Sequence, residues 1–304
     1  YSFMKDLPPF LQSGDSVAIV SPSGFVDQEP IMKAVDILQS WGLRVILGDN
    51  IFAKDGVFAG DDTKRSSDFN KMIRNDSVKA IFCSRGGYGA ARLLPLLDFD
   101  YLMRKPKFII GFSDITVFHS ALHICQIPSI HAVMPNSFSK TDDDSLSGLK
   151  KILFGTLPNH TIDSNELNIE GEAKGILIGG NLSILYSLRG TPWDVDLSGK
   201  ILFVEDIGEK LYHLDRMMVN FELGGKFKNL KGLIVGDFGD MTDGSAPFNK
   251  DANEIIHYYA KKHSFPVIFG FEAGHIKRNL PLLMGVKHQL TSNTKQESSL
   301  KCLG

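Results

Sequence analysis

Between Asp15 and Pro135, short apolar runs alternate with stretches of helical periodicity, and this alternation restricts the fold more than any other feature of the chain. Asp15–Val20 reads as a strand, followed by the turn Ser21–Gly24. Ile31, Ala34, Val35, Leu38 and Trp41 then mark one face of a helix that Gly42 stops. Arg44–Leu47 is the next strand, a polar helix follows Gly60-Asp61-Asp62 to about Arg74, and Val78–Cys83 is the third strand. Phe108–Ile110 and Ile130–Pro135 continue the series. Strands separated by helices need crossovers rather than hairpins, so the pattern predicts an α/β fold with a doubly wound parallel sheet.

A chain of 304 residues has room for two such domains or one large one. Asn136–Gly155 is polar, with the acidic run Asp142–Asp144 as a solvated helix start, and Thr156–Gly171 has the composition of a linker. The expected division is therefore a first domain over 1–155, a linker over 156–171 and a second α/β domain over 172–304. In the second, Glu172–Ile178 and Lys200–Val204 are strands, and Gly179-Gly180-Asn181-Leu182-Ser183 is a tight turn into a capped helix. Ile207, Leu211, Leu214, Met218 and Phe221 form a core-facing helical stripe. Leu230–Val235 is a strand, Gly236–Phe248 a loop, Asn249–Lys262 a helix and Phe265–Phe271 the penultimate strand. Asn279–Gly285 and Val286–Leu290 close the fold, with a polar, frayed tail from Thr291.

With a net charge of −2, neither sign of charge dominates, so nothing calls for nucleic acid or an anionic membrane as partner. The three cysteines, Cys83, Cys125 and Cys302, fit neither a disulfide framework nor a zinc pattern, which suits a reducing compartment. No apolar run approaches the roughly 20 residues needed to span a bilayer. Tyr1–Phe3 reads as a cloning remnant ahead of a natural Met4, and the amino terminus lacks a signal-peptide core, so a cytoplasmic protein is expected.

Three polar residues directly follow buried apolar runs. Ser113 follows Phe108–Gly111 and precedes the helical spacing of Ile115, Phe118, Ala121 and Leu122. Such a position lifts a hydroxyl to the carboxyl edge of a sheet, although a serine there also serves as a plain helix cap. Glu205 follows Lys200–Val204, and His275 lies just beyond Phe265–Phe271. A hydroxyl is a poor nucleophile until an imidazole takes its proton, and the imidazole needs a carboxylate to fix its tautomer. His131, Asp206 and Asp114 compete for these roles, and His119 with His123 offers a weak metal pair.

The loop Ser84-Arg85-Gly86-Gly87-Tyr88-Gly89 lacks the lysine of a P-loop and the spacing of a dinucleotide site. Gly86 or Gly87 can instead bring a backbone N–H to a reacting carbonyl, together with that of Asp114, while Arg85 or Tyr88 lines a pocket wall. An ordinary turn between strand and helix remains open.

Taken in order, S-R-G-G-Y-G, G-F-S-D-I-T, G-G-N-L-S, V-E-D-I-G-E with L-D-R-M, and G-H-I-K-R-N-L-P-L-L-M-G resemble the motif set of the LD-carboxypeptidase family of serine peptidases. That family includes murein tetrapeptide carboxypeptidases and microcin C self-immunity peptidases. The resemblance implies Ser113 as nucleophile, Glu205 as orienting acid and His275 as general base, and it groups Asn181 with the substrate-binding candidates. It further implies a site at the interface of a doubly wound amino-terminal domain and a β-rich carboxy-terminal one, usually in a homodimer. The implied reaction needs no metal or cofactor and removes D-alanine from a diamino acid in peptidoglycan recycling. The alternatives are cleavage of a peptidyl or acyl nucleotide amide, as in microcin immunity, or a non-catalytic binding module. An α/β-hydrolase is disfavoured because Ile115 stands where its elbow needs glycine.

Overall fold

The computed structural model describes residues 7–304, so the reading of Tyr1–Phe3 lies outside it. The chain divides into two compact units: one runs to Thr156 and regains Lys277–Gly285, and the other comprises Leu157–Ile276 and Val286–Gly304.

The first unit begins with β1 (Ser16–Val20), α1 (Gln28–Ser40), β2 (Arg44–Leu47), α2 (Asp62–Arg74) and β3 (Val78–Cys83). It continues with α3 (Phe99–Arg104), β4 (Phe108–Gly111), α4 (Thr116–Ile124), β5 (Ser129–His131) and α5 (Asp143–Leu153). The five strands pair in parallel in the order β5-β4-β3-β1-β2. All five residues of β1 are buried, as expected of a central strand covered on both faces. Because the sheet grows outward in both directions from β1 and β3, their loops part and leave a crevice at the carboxyl edge. The chain holds α2 at both ends. Asp61 accepts from the Lys64 N–H (2.7 Å), and the buried Lys107 Nζ donates to the carbonyls of Met72, Ile73 and Asn75.

The second unit contains β6 (Asn159–Ile162), β7 (Gly171–Asn181), α6 (Leu182–Ser187), β8 (Lys200–Ile207), α7 (Leu211–Leu223), β9 (Gly232–Gly239), α8 (Ala252–Ala260) and β10 (Val267–Ile268). β11 (Leu282–Met284) pairs antiparallel with β5 in the first sheet, after which β12 (Lys287–Ser292) and β13 (Ser298–Cys302) complete the second. The second sheet has the order β10-β9-β8-β7-β12-β13-β6, parallel from β10 to β7 and antiparallel beyond. Leu214, Met217, Met218 and Phe221 of α7 join Ile255 and Ile256 of α8 in its core.

Several elements depart from the sequence reading. The segment 156–171 contains β6, which pairs with β13, and 277–285 returns to the first unit. The tail is not frayed: Ser298, Leu300 and Cys302 are buried in alternation, a period of two that the surrounding polar residues obscure. Ile207 ends β8 rather than opening the next helix, and β9 extends through Asp237 to Gly239, where a loop was expected. Only Val267–Ile268 of the run Phe265–Phe271 is regular strand.

Two buried histidines set an expectation for pH. His119 Nδ1 meets Ser129 Oγ (2.7 Å) and its Nε2 meets the Gly111 carbonyl (2.9 Å), while His288 Nδ1 meets the Val286 carbonyl (3.1 Å). Burial lowers both imidazoles to about 4. The unfolded chain takes up these two protons near the ordinary value of 6.5, so the pair costs stability as the pH falls from 6.5 toward about 4. Histidine-resolved NMR titration is expected to show both rings neutral at pH 5. A midpoint near 6.5 for either ring contradicts this packing.

Candidate active site

Phe108–Ile110 end β4 against the core, and Gly111 lets α4 start tightly beneath the strand: a Cβ there would lie 2.9 Å from Ile115 Cγ1. Small size is thus needed two residues before Ser113, while the position two residues after it carries the buried Ile115. Ser113 has a φ of +63°, a left-handed conformation that costs a non-glycine residue of order 1–3 kcal/mol. The serine therefore stands on a sharp, strained turn between strand and helix.

Gly86 lies against that hydroxyl. A Cβ at Gly86 would stand 2.9 Å from both Cβ and Oγ of Ser113 and 3.4 Å from the Asp114 nitrogen, so only glycine leaves room for the serine. Gly87 packs on Gly24, whose N–H donates to the Gly86 carbonyl (3.1 Å). Arg85 Nη1 donates to the Phe25 carbonyl (3.2 Å), and Tyr88 is largely exposed with its ring 5.6 Å from that of Phe58.

The Asp114 carboxylate points inward. Its Oδ2 accepts from Ser23 Oγ (2.7 Å) and the Ala90 N–H (2.9 Å), joining the Ser113 turn to the loops after β1 and β3. Burial pushes this carboxyl up, and the two hydrogen bonds oppose the shift. Arg65, a buried residue of α2, donates through Nη1 to the carbonyls of Pro22 (2.5 Å) and Gly89 (3.0 Å). Neither Arg65 nor Ser23 stands out in the sequence, because a lone arginine on a polar helix reads as solvated surface. His131 is fully buried, with its ring 5.7 Å from Phe112 and 6.1 Å from His119.

In the second unit, β8 delivers Glu205 and Asp206 as neighbours with opposite tasks. Glu205 is fully buried, and its Oε2 meets His275 Nδ1 at 2.8 Å. Asp206 turns to the other side, where Asn181 Nδ2 (3.0 Å) and the Ser183 N–H (2.8 Å) donate to it. Burial raises Asp206 to about 6 despite these donors. Asn181 also caps α6, its Oδ1 accepting from the Ile184 N–H. Of the two neighbouring carboxylates, Glu205 is thus the one hydrogen-bonded to the imidazole, and Asp206 is the one held by Asn181 and Ser183.

Gly274 makes the approach of His275 possible. It has a φ of +132°, and a Cβ there would lie 3.1 Å from Glu205 Oε2 and 3.2 Å from Asp237 Cβ. Burial opposes a charge on His275, but the Glu205 hydrogen bond and charge outweigh it, with Asp206 and Asp237 adding, so its pKa lies above 6.5. Asp237, in the stretch expected to be a loop, also follows an apolar run, Leu233–Val235, separated only by Gly236, and lies in β9. Among the described residues no group of three or more His, Cys, Asp or Glu side chains is arranged to hold a metal, and no helix is long and apolar enough to cross a membrane.

Comparison with known proteins matches both units. The profile of the LD-carboxypeptidase N-terminal domain covers residues 17–132, and that of the C-terminal domain covers 174–290. A probable murein peptide carboxypeptidase of Bacillus subtilis is 32% identical over 294 residues, 95% of this chain and 92% of its own length. The Microcin C7 self-immunity protein MccF of Escherichia coli is 26% identical, spanning 95% of this chain and 94% of its own length. The crystal structure of muramoyltetrapeptide carboxypeptidase from Oxalobacter formigenes superposes with a TM-score of 0.86 at 30% identity, covering 94% of this chain and 98% of that one. With both of its domains matched and its two-domain α/β fold shared, the chain belongs to the LD-carboxypeptidase family and is a serine-type carboxypeptidase.

Proposed function

We propose that this enzyme releases the terminal D-alanine of a murein tetrapeptide by hydrolysing its amide to the L-centre of the preceding diamino acid. Ser113 is the nucleophile, His275 the general base and Glu205 the acid that orients it. The observation that carries the reading is the 2.8 Å contact between His275 Nδ1 and a fully buried Glu205. That contact puts the neutral ring's proton on Nδ1 and leaves Nε2 as the acceptor a serine hydroxyl requires.

The steps balance as follows. Ser113 Oγ attacks the scissile carbonyl as its proton passes to His275 Nε2, and Glu205 stabilises the resulting imidazolium. The oxyanion is taken by the Asp114 N–H with that of Gly86 or Gly87. His275 then protonates the departing amine of D-alanine, leaving an acyl ester on Ser113. Water, deprotonated by the same imidazole, hydrolyses the ester and restores the hydroxyl. The murein substrate is favoured over a nucleotide-linked amide because the murein-directed relatives, at 32% and 30% identity, stand above MccF at 26%.

Mass spectrometry of a murein tetrapeptide before and after incubation is expected to show loss of one alanine. Cleavage of an aminoacyl sulfamoyl nucleotide with the tetrapeptide left whole contradicts the assignment. Ser113→Ala and His275→Ala are each expected to lower kcat by a factor on the order of 10³ or more with the fold retained, and Glu205→Gln to impair it severely. Because the base must be neutral and its pKa is raised above 6.5, kcat/KM should fall on the acid side with a midpoint above 6.5. A rate that stays level down to pH 5 excludes His275 as that base. Gly86→Ala places a methyl group 2.9 Å from Ser113 Oγ and should cost kcat roughly 10², the scale of an ångström-level misplacement.

A further inference from the structure

One carboxylate beside His275 has no task in these steps. Asp237 lies in the last part of β9, where its N–H donates to the Ala273 carbonyl (2.9 Å) and the Phe271 N–H donates to the Val235 carbonyl (3.1 Å). The segment 271–273 thus runs beside the end of β9 and hands the chain to His275. Gly274, the turn between them, is flanked by Glu205 Oε2 on one side and Asp237 Cβ on the other. Asp237 Oδ2 is buried and has no hydrogen-bond partner among the described residues. It belongs to a cleft of about 500 Å³ that Asp240, Asp251 and Glu272 also line, with no lysine or arginine among the described lining residues.

A buried carboxylate oxygen left without a donor is costly unless a positive charge stands close by. The charges that act on His275 are those of Glu205 and Asp206 from β8 and Asp237 from β9. Asp206 is already held by Asn181, Ser183 and the Ile207 N–H. We propose that Asp237 is a positioning residue for catalysis, a second carboxylate that stabilises the imidazolium of His275 as Ser113 gives up its proton. The inference rests on His275 as the base. Glu205 supplies the hydrogen bond and the tautomer; Asp237, whose carboxylate is held by the Gly239 N–H, supplies charge. The coupling is reciprocal: Asp237 raises the His275 pKa, and His275 opposes the rise that burial imposes on Asp237.

NMR titration of the full isotopically labelled chain tests this without recourse to turnover. Asp237→Asn is expected to lower the His275 midpoint by about one unit, with Asp237→Glu restoring it, and the acid limb of kcat/KM should move by the same amount. An unchanged His275 midpoint in a natively folded Asp237→Asn chain overturns the proposal. Should that variant not fold, the Asp237 carboxyl resonance of the unaltered chain must show an inflection at the His275 midpoint, and its absence is equally fatal. The two assignments fail separately. Turnover that survives His275→Ala removes the base and leaves the titration coupling intact, whereas loss of the coupling leaves the base in place.

Discussion

A carboxylate taken wholly out of water has to be met by a donor, and Glu205 is met by His275. Much of the second unit can be understood as the means of bringing those two groups together. β8 carries Glu205 into the sheet, with Leu202 and Val204 packed in the core on one side. β9 lies beside β8 and guides the segment ending at Ala273, and Gly274 adopts a backbone angle that a side chain would both strain and block. Removing the imidazole alone would leave an uncompensated buried charge, which is why the pair has to be treated as one chemical group.

The first unit solves a different problem, that of holding a serine in a conformation it does not prefer. A strained backbone persists only where its surroundings over-determine it. Here the inward carboxylate of Asp114 takes hydrogen bonds from two neighbouring loops, and Arg65 ties the same two loops through the carbonyls of Pro22 and Gly89. The polar interior of this region therefore holds the backbone geometry on which the Ser113 hydroxyl is carried.

The parallel character of the first sheet, though not its strand order, is legible because each strand announces itself by a buried apolar run that depends on local sequence alone. The same rule, that a polar residue after such a run falls at a strand end, describes Ser113 after β4, whereas Glu205 lies within β8 and His275 well beyond β10. What escaped was whatever depended on distant partners. β13 hides in a polar tail because its burial comes from pairing with the remote β6, which begins at Asn159, and with the neighbouring β12. Arg65 gives no local sign because its acceptors are carbonyls of two other loops. Asp237 was hidden by a boundary error, since ending the strand at Val235 turned a sheet-borne carboxylate into a loop residue.

Reaction with a fluorophosphonate, followed by peptide mass mapping, reads the nucleophile and its base in one measurement. The account predicts a single adduct on the peptide carrying Ser113, formed faster as the pH rises through the titration of His275 and abolished by His275→Ala. An adduct elsewhere, or labelling of Ser113 indifferent to the residue at position 275, contradicts it.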